Sequence, residues 1–474
     1  MEARPMLIAP PSTHRPIFTG HIGVAREDIT PPVGIYCRNW GAATHDAAEG
    51  IHRPLTLNVL SLQREPNGTP CVLVEADLGW WRSLETERRF REQVLQELSL
   101  NPSRFIFALS HTHSSPPLAD PEPEWEGGEL LPAFIARVRD ATLVAAREAL
   151  RSAQPATLDW HTGRCSLATN RDLPDPTDPT DSTDKRQVCG YSPEVPADDT
   201  LVVGRVTDSH GRILATLTNY ACHPTTLAWE NCLVSPDYVG AMRETLQQHT
   251  RAPAMFLQGA SGDLAPKYQY VADTSVADAH GRQLAYATLA TLEDMDPPNT
   301  RLVFDRVVES GAPLAVWKRE PVAANTALRS TNATVDLPLK DWPSAEELER
   351  QRQGCTDRAL QERLRRRRDI RRVLGDGKTF ALPIHVWQVG DAVLAGNMCE
   401  CYSWMQQELR HRIPDILVVF MNLVNGSIGY LPPAERYDQD CYQVWQTPFA
   451  RGSLEALSDA VESTIQHLIA EDQS

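Results

Sequence analysis

The sequence predicts an α/β domain built on a large mixed β-sheet with helices on its faces. Three observations carry this expectation. Short apolar runs of strand length alternate with segments of helical periodicity through most of the 474 residues. Several of the runs, such as FIFALS at 105–110, are apolar without alternation, the pattern of a strand buried on both faces. The chain is also long enough for one large core, and no internal repeat divides it.

The elements follow in order. A run at 71–78 (CVLVEADL) ends at Gly79, Ser83 caps a helix that runs to residue 98, and FIFALS comes next. The same grammar gives a helix over 131–152, strands at 201–206 and 213–219, a helix over 239–249, a strand at 254–258 and a helix over 277–292. Strands at 384–389, 392–395 and 416–421, a helix over 402–411 and a closing helix over 454–469 complete one catalytic-size domain over 18–474, with 1–17 as a flexible start. Two stretches read as insertions. Residues 173–196 are rich in Pro, Asp and Thr without periodicity, a long loop and candidate lid. Residues 344–374 open with the capping-box pattern SAEE and continue as a charged helix with Arg365 to Arg368, Arg371 and Arg372. That run reads as a solvated face or a subunit contact of a homo-oligomer, ahead of an anion site.

Composition removes several functions. Lys and Arg total 46 against 62 for Asp and Glu, and the net charge of −16 repels nucleic acid and anionic lipid. The longest apolar stretch, 413–424, is broken by Pro414, Asp415 and Asn422 and falls short of the roughly 20 residues of a membrane span, so no integral membrane association is expected. The first residues hold Glu2 and several prolines in place of an apolar signal core, which points to the cytoplasm. Ten cysteines without CxxC spacing read as buried thiols of a reducing compartment.

Five signals that carry chemistry sit just past predicted strands, where open α/β sheets build their ligand crevices. His111-Thr112-His113 follows FIFALS, and residues i and i+2 of an extended chain share a face. His223 follows the 213–219 strand and precedes Pro224. The turn Gln258 to Lys267 (QGASGDLAPK) can bring backbone amides near a substrate, and it is no P-loop because its Lys lacks the following Ser or Thr. Glu400 and Tyr430 follow the last two strands. Each signal has a plainer reading, as a strand-end hydrogen bond, a tight turn, a helix-dipole partner or a packed tyrosine, and their convergence argues for a site.

Taken together the motifs resemble the N-terminal catalytic domain of the neutral (alkaline, non-lysosomal) ceramidases, in that family's order and over nearly the whole chain. The carriers are GVAREDITPP at 23–32, Gly50-Ile51-His52, His111-Thr112-His113-Ser114, the His223 segment, Gly262-Asp263, Glu400 and the Tyr430 segment. The resemblance implies one zinc ion held by His111, His223, Glu400 and Tyr430, with His113 as an acid/base group, and Tyr430 also counted in the catalysis. It puts Arg171, in Asn170-Arg171, near the substrate carbonyl, and assigns Gly262, Asp263 and His52 to substrate binding. Two departures stand out. Ala265 occupies the place of the family's nucleophilic serine, and the C-terminal immunoglobulin-like domain has no counterpart. The expectation is therefore a zinc-dependent hydrolase of an amide bond in a soluble small-molecule N-acyl substrate, with water as nucleophile. Ester or lactone hydrolysis, or a non-catalytic metal-binding relative, are the alternatives.

Overall fold

The computed structural model describes residues 15–179 and 186–470. Side-chain alternation along the strands sets the architecture. In Phe105–Leu109, Phe105, Phe107 and Leu109 enter one core, while Ile106 and Ala108 enter another. The continuous apolar run is thus buried on both faces, as its composition requires. Among the described residues the large sheet has eight strands, ordered Ala254–Gln258, Ile213–Tyr220, Thr200–Asp208, Gln154–Arg164, Ile17–Asp28, Thr56–Gln63, Cys71–Ala76 and Phe105–Leu109. The outermost pair on each side is parallel and the pairings between them are antiparallel, so the sheet is mixed.

Helices α1 (Leu84–Leu98) and α2 (Leu131–Arg151) cover one half of one face through Phe90, Val94, Phe134 and Val138. Helices α3 (Tyr238–Thr250) and α4 (Thr274–Glu293) cover the other half through Met242, Leu246 and Leu284. The opposite face meets a second sheet, of Leu328–Pro338, Thr379–Val389, Ala392–Gly396 and Leu417–Met421. Trp387, Leu394 and Val419 of that sheet pack on Phe18, Leu60 and Ile106 of the first. The last three strands read from the sequence therefore stack on the large sheet and do not extend it. Helices α7 (Trp404–Arg412) and α9 (Ser453–Ala470) close the far side through Met405, Leu409, Leu457 and Val461.

The charged segment forms two helices, α5 (Ala345–Gln353), capped by Ser344, and α6 (Arg358–Leu374), capped by Asp357. The expected solvated face is corrected here, because Glu362, Arg365 and Arg368 are buried. Arg368 pairs with Glu349 (2.6 Å) and Glu122 (2.5 Å), and Glu362 with Arg82 (3.3 Å), Arg365 (3.0 Å) and Arg366 (3.1 Å). Arg82 and Glu122 lie far away in sequence, and they turn the helix inward over the strand ends. The short helix α8 (Tyr442–Gln446) lies beside it. At the base of the 173–196 loop, Asp172–Pro174 pairs with Gln187–Cys189; residues 180–185 of that loop and 1–14 of the N-terminal segment lie outside the described residues. No helix among the described residues is long and apolar enough to cross a membrane.

Candidate metal centre and its cavity

The strand ends deliver four side chains to one point. His111 leaves its strand with φ of 70°, a left-handed conformation rare outside glycine, held by donation of its N–H to the Leu78 carbonyl at 2.9 Å. Its Nδ1 donates to the Gly79 carbonyl at 3.1 Å. Nδ1 of His223 donates to the Ser261 carbonyl at 2.6 Å, and its backbone N–H to the Leu264 carbonyl at 3.0 Å. Glu400 and Tyr430 are register partners on two short parallel strands, so their side chains leave from adjacent rungs.

The tautomers follow from these contacts. A carbonyl can only accept, so Nδ1 carries the proton in both rings, and burial pushes His223 down to about 3, which keeps that ring neutral. Nε2 of His223 then presents a lone pair, and Nε2 of His111 faces the same point. Glu400 Oε2 lies 3.2 Å from Nε2 of His111 and 3.0 Å from Nε2 of His223, and Tyr430 Oη lies 3.4 Å from the latter. Acceptors facing one another at this range repel unless a cation lies among them. The spacing also matches the edge of a tetrahedron whose metal–ligand bonds are about 2.0–2.1 Å, an edge of about 3.4 Å. Two imidazoles fixed through Nδ1–H, a carboxylate and a phenol oxygen thus suit a transition-metal ion. His113 adds a third imidazole; the ligand atoms of His111, His113 and His223 lie within 4.8 Å of one another.

His113 stands between the rings of Trp40 and Trp80, with centroids 5.0 Å away on each side. Neither of its nitrogens has a hydrogen-bond partner among the described residues, and burial beside His111 and His223 holds it well below the usual imidazole range. Arg171 donates from Nη2 to the Gly262 carbonyl at 2.7 Å and to Tyr430 Oη at 3.2 Å. Two chambers meet at the cluster. One, of about 70 Å³, is lined by Trp80, Trp81, His111, Ile370, Val373 and Glu400. The other, of about 410 Å³, is lined by Trp40, Arg171, Cys189, Trp229 and Tyr270. His113, Arg366, Tyr430, Tyr442 and Gln446 border both.

No family model and no curated protein matches the sequence. Solved structures do. The chain is similar to neutral ceramidase from Pseudomonas aeruginosa, with a TM-score of 0.66 and 16% identity over 96% of this chain and 75% of that one. It is also similar to a ceramidase complexed with C2, with a TM-score of 0.64 and 15% identity over 96% of this chain and 76% of that one. This is the neutral ceramidase fold. At such identity the likeness is one of fold, and the side-chain geometry above stands on its own.

Within that fold the nine sequence-predicted residues separate. His111, His113, Arg171, His223, Glu400 and Tyr430 converge. Three expected substrate contacts do not line either chamber. His52 turns Nδ1 to Ser235 Oγ (2.9 Å) and Nε2 to Asp278 (3.2 Å). The Asp263 carboxylate accepts the N–H and hydroxyl of Ser403 at 2.6 and 2.8 Å, pinning the start of α7. Gly262 packs against the ligand strand, where a Cβ would lie 2.8 Å from the Glu400 carbonyl oxygen. Ala265 is fully buried, its carbonyl accepting from Thr169 Oγ1 at 3.1 Å. The glycine-rich turn is therefore a scaffold behind His223 and Glu400. Sequence reasoning missed Trp40, Trp80, Tyr442 and Arg366. Trp80 had a signal, as it directly follows a predicted strand and its closing Gly79.

Proposed function

We propose that this chain is a zinc-dependent hydrolase of the amide bond in an N-acyl compound, with His111, His223, Glu400 and Tyr430 holding the metal and water as the nucleophile. The observation that carries the reading is the convergence of two histidine Nε2 atoms and a carboxylate oxygen at 3.0–3.2 Å. Bound there, zinc supplies Lewis acidity, polarising a carbonyl oxygen and bringing the pKa of a coordinated water to about 7. His113, with both nitrogens uncommitted, takes the proton of the attacking water and returns it to the departing amine. Arg171, anchored on the Gly262 carbonyl, directs positive charge toward the carbonyl oxygen as it becomes anionic. Trp40 and Trp80 fix the His113 ring and exclude bulk water.

A side-chain nucleophile finds no support. Ala265 has no hydroxyl, and Ser261 Oγ is buried and held by the Gln258 amide at 2.5 Å, with no base on it among the described residues. All ten cysteines are unpaired, which fits a cytoplasmic setting. The test is metal analysis of purified protein together with hydrolysis of N-acyl substrates before and after chelation. One zinc per chain with activity lost on chelation and restored by zinc supports the reading. Metal-free protein that cleaves amides, or a covalent acyl adduct on Ser261, overturns it.

A further inference from the structure

The cavity carries a charge opposite to that of the molecule. Within a chain of net charge −16, Arg82, Arg171, Arg363 and Arg366 all border the chambers beside the metal cluster. Three carboxylates, Glu362, Asp369 and Glu400, border the chambers as well, and Glu400 faces the two histidines. One carboxylate, Glu362, serves Arg82, Arg365 and Arg366 together, and these guanidiniums overcome the effect of burial and hold it down at about 2. Asp369, which also borders the small chamber, is taken by Arg368 at 2.7 Å. Arg82 donates through Nη2, while its Nε and Nη1 are buried without an acceptor among the described residues, between the rings of Trp80 and Trp125.

Arg366 is the guanidinium placed to meet a ligand. Its Nε donates to Glu362 at 3.1 Å, Nη1 to Tyr442 Oη at 3.1 Å and Nη2 to the Asn39 carbonyl at 2.5 Å. A guanidinium has five N–H groups, so one on each terminal nitrogen is left for an acceptor such as a carboxylate. The side chain keeps 23% of its surface accessible, and it borders both chambers. Position then fixes where the anionic group must sit. Tyr442, to which Arg366 donates, packs 5.6 Å from the ring of Tyr430, and Trp80, 5.2 Å from the Arg366 guanidinium, packs against His113. Arg366 is thus at the junction of the two chambers beside the histidine cluster, not at the far end of either.

Building on the hydrolase reading above, we propose that Arg366 binds a carboxylate adjacent to the scissile amide nitrogen, so that the substrate class is the N-acyl amino acids. The acyl and amino-acid side chains then occupy the two chambers on either side of the junction. Water adds its oxygen to the acyl carbon, the carbon–nitrogen bond breaks, and both water protons end on nitrogen. The products are a carboxylate and a zwitterionic amino acid.

The experiment compares N-acetyl-phenylalanine with N-acetyl-phenylalaninamide, an isostere without the charge, following acetate release by the zinc-loaded enzyme and its Arg366→Gln and Arg366→Lys variants. The expected result is a preference for the acid of about 10- to 100-fold in kcat/KM, lost in Arg366→Gln through a rise in KM and partly kept in Arg366→Lys. Calorimetric binding of N-acetyl-phenylalanine to the zinc-loaded protein reads the subsite without catalysis. Binding that weakens about 10-fold or more in Arg366→Gln while nothing is hydrolysed upholds the subsite and removes the hydrolase reading. Cleavage of both compounds at equal kcat/KM, or equal losses on both in Arg366→Gln with the melting temperature unchanged, overturns the subsite and leaves the hydrolase reading standing.

Discussion

Two segments flank the cluster of His111, His223, Glu400 and Tyr430, and they differ in what they give it. The turn Gln258 to Lys267 has the composition of a substrate-binding loop, yet it contributes carbonyls from behind: Ser261 to His223 and Gly262 to Arg171. Helix α6 has the composition of a solvated surface, yet it lines the cavity with Arg366, Ile370 and Val373. Composition reports what a segment can tolerate, and the partners brought by the rest of the chain decide which face of it meets the substrate. A glycine next to a catalytic strand serves close approach as readily as ligand access. An arginine run is buried once carboxylates such as Glu122, Glu349 and Glu362 meet it.

The division between scaffold turn and lining helix can be broken most severely at Gly262. The Cβ of Gly262→Ala meets the Glu400 carbonyl oxygen at 2.8 Å and Tyr402 at 2.8 Å, so the ligand strand must move. The expected outcome is loss of bound metal and of activity, with a stability cost of about 1–3 kcal/mol in urea unfolding. A metal-loaded, active variant means that the turn is not the scaffold described here. His113→Ala comes next. It leaves the metal in place, checked by elemental analysis, and lowers kcat by about 10²- to 10⁴-fold. An unaltered rate assigns proton transfer elsewhere.

The helix side is sharpened by acid titration. Glu362 falls from its ordinary 4.5 to about 2 in the folded protein, so its contribution is full above pH 4.5 and is lost as pH falls toward 2. That contribution is about 3 kcal/mol. Urea midpoints measured across this range decline more steeply in the wild type than in Glu362→Gln, and parallel curves refute a load shared by one carboxylate. The smallest effect is expected from Ser261→Ala, which retains activity within about threefold because the carbonyl, not the hydroxyl, holds His223. A rate as low as that of the His113 variant makes Ser261 a nucleophile after all.

Much of the candidate site was legible because strand-end residues are few and chemically distinctive. His111, His223, Glu400 and Tyr430 each follow an apolar run whose end was readable. The lining was not legible, since Trp40 from near the start of the chain meets Arg366 and Tyr442, from two later segments, through tertiary contacts. The fold shows the same limit. Apolar strands such as Phe105–Leu109 and Ala254–Gln258 were readable, whereas Ile17–Asp28, Thr56–Gln63 and Gln154–Arg164, central in the large sheet, mix Thr, Asn, Gln and Arg into their pattern. Asn58 is one such polar residue, fully buried yet donating to Glu75 at 2.8 Å, a pairing invisible to periodicity.

On the proposed reading of His111 as a ligand, its left-handed backbone restricts which other residue could take that role. A substitute must coordinate the ion and also accept positive φ, which asparagine, aspartate and histidine do more readily than other residues with a side chain. Cysteine, a strong zinc ligand in the abstract, adds a backbone penalty of about 1–3 kcal/mol at this position. Drift of the metal site toward sulfur ligation, or its redesign for a softer ion, is therefore easier at the Glu400 and Tyr430 positions, whose extended backbone imposes no such filter.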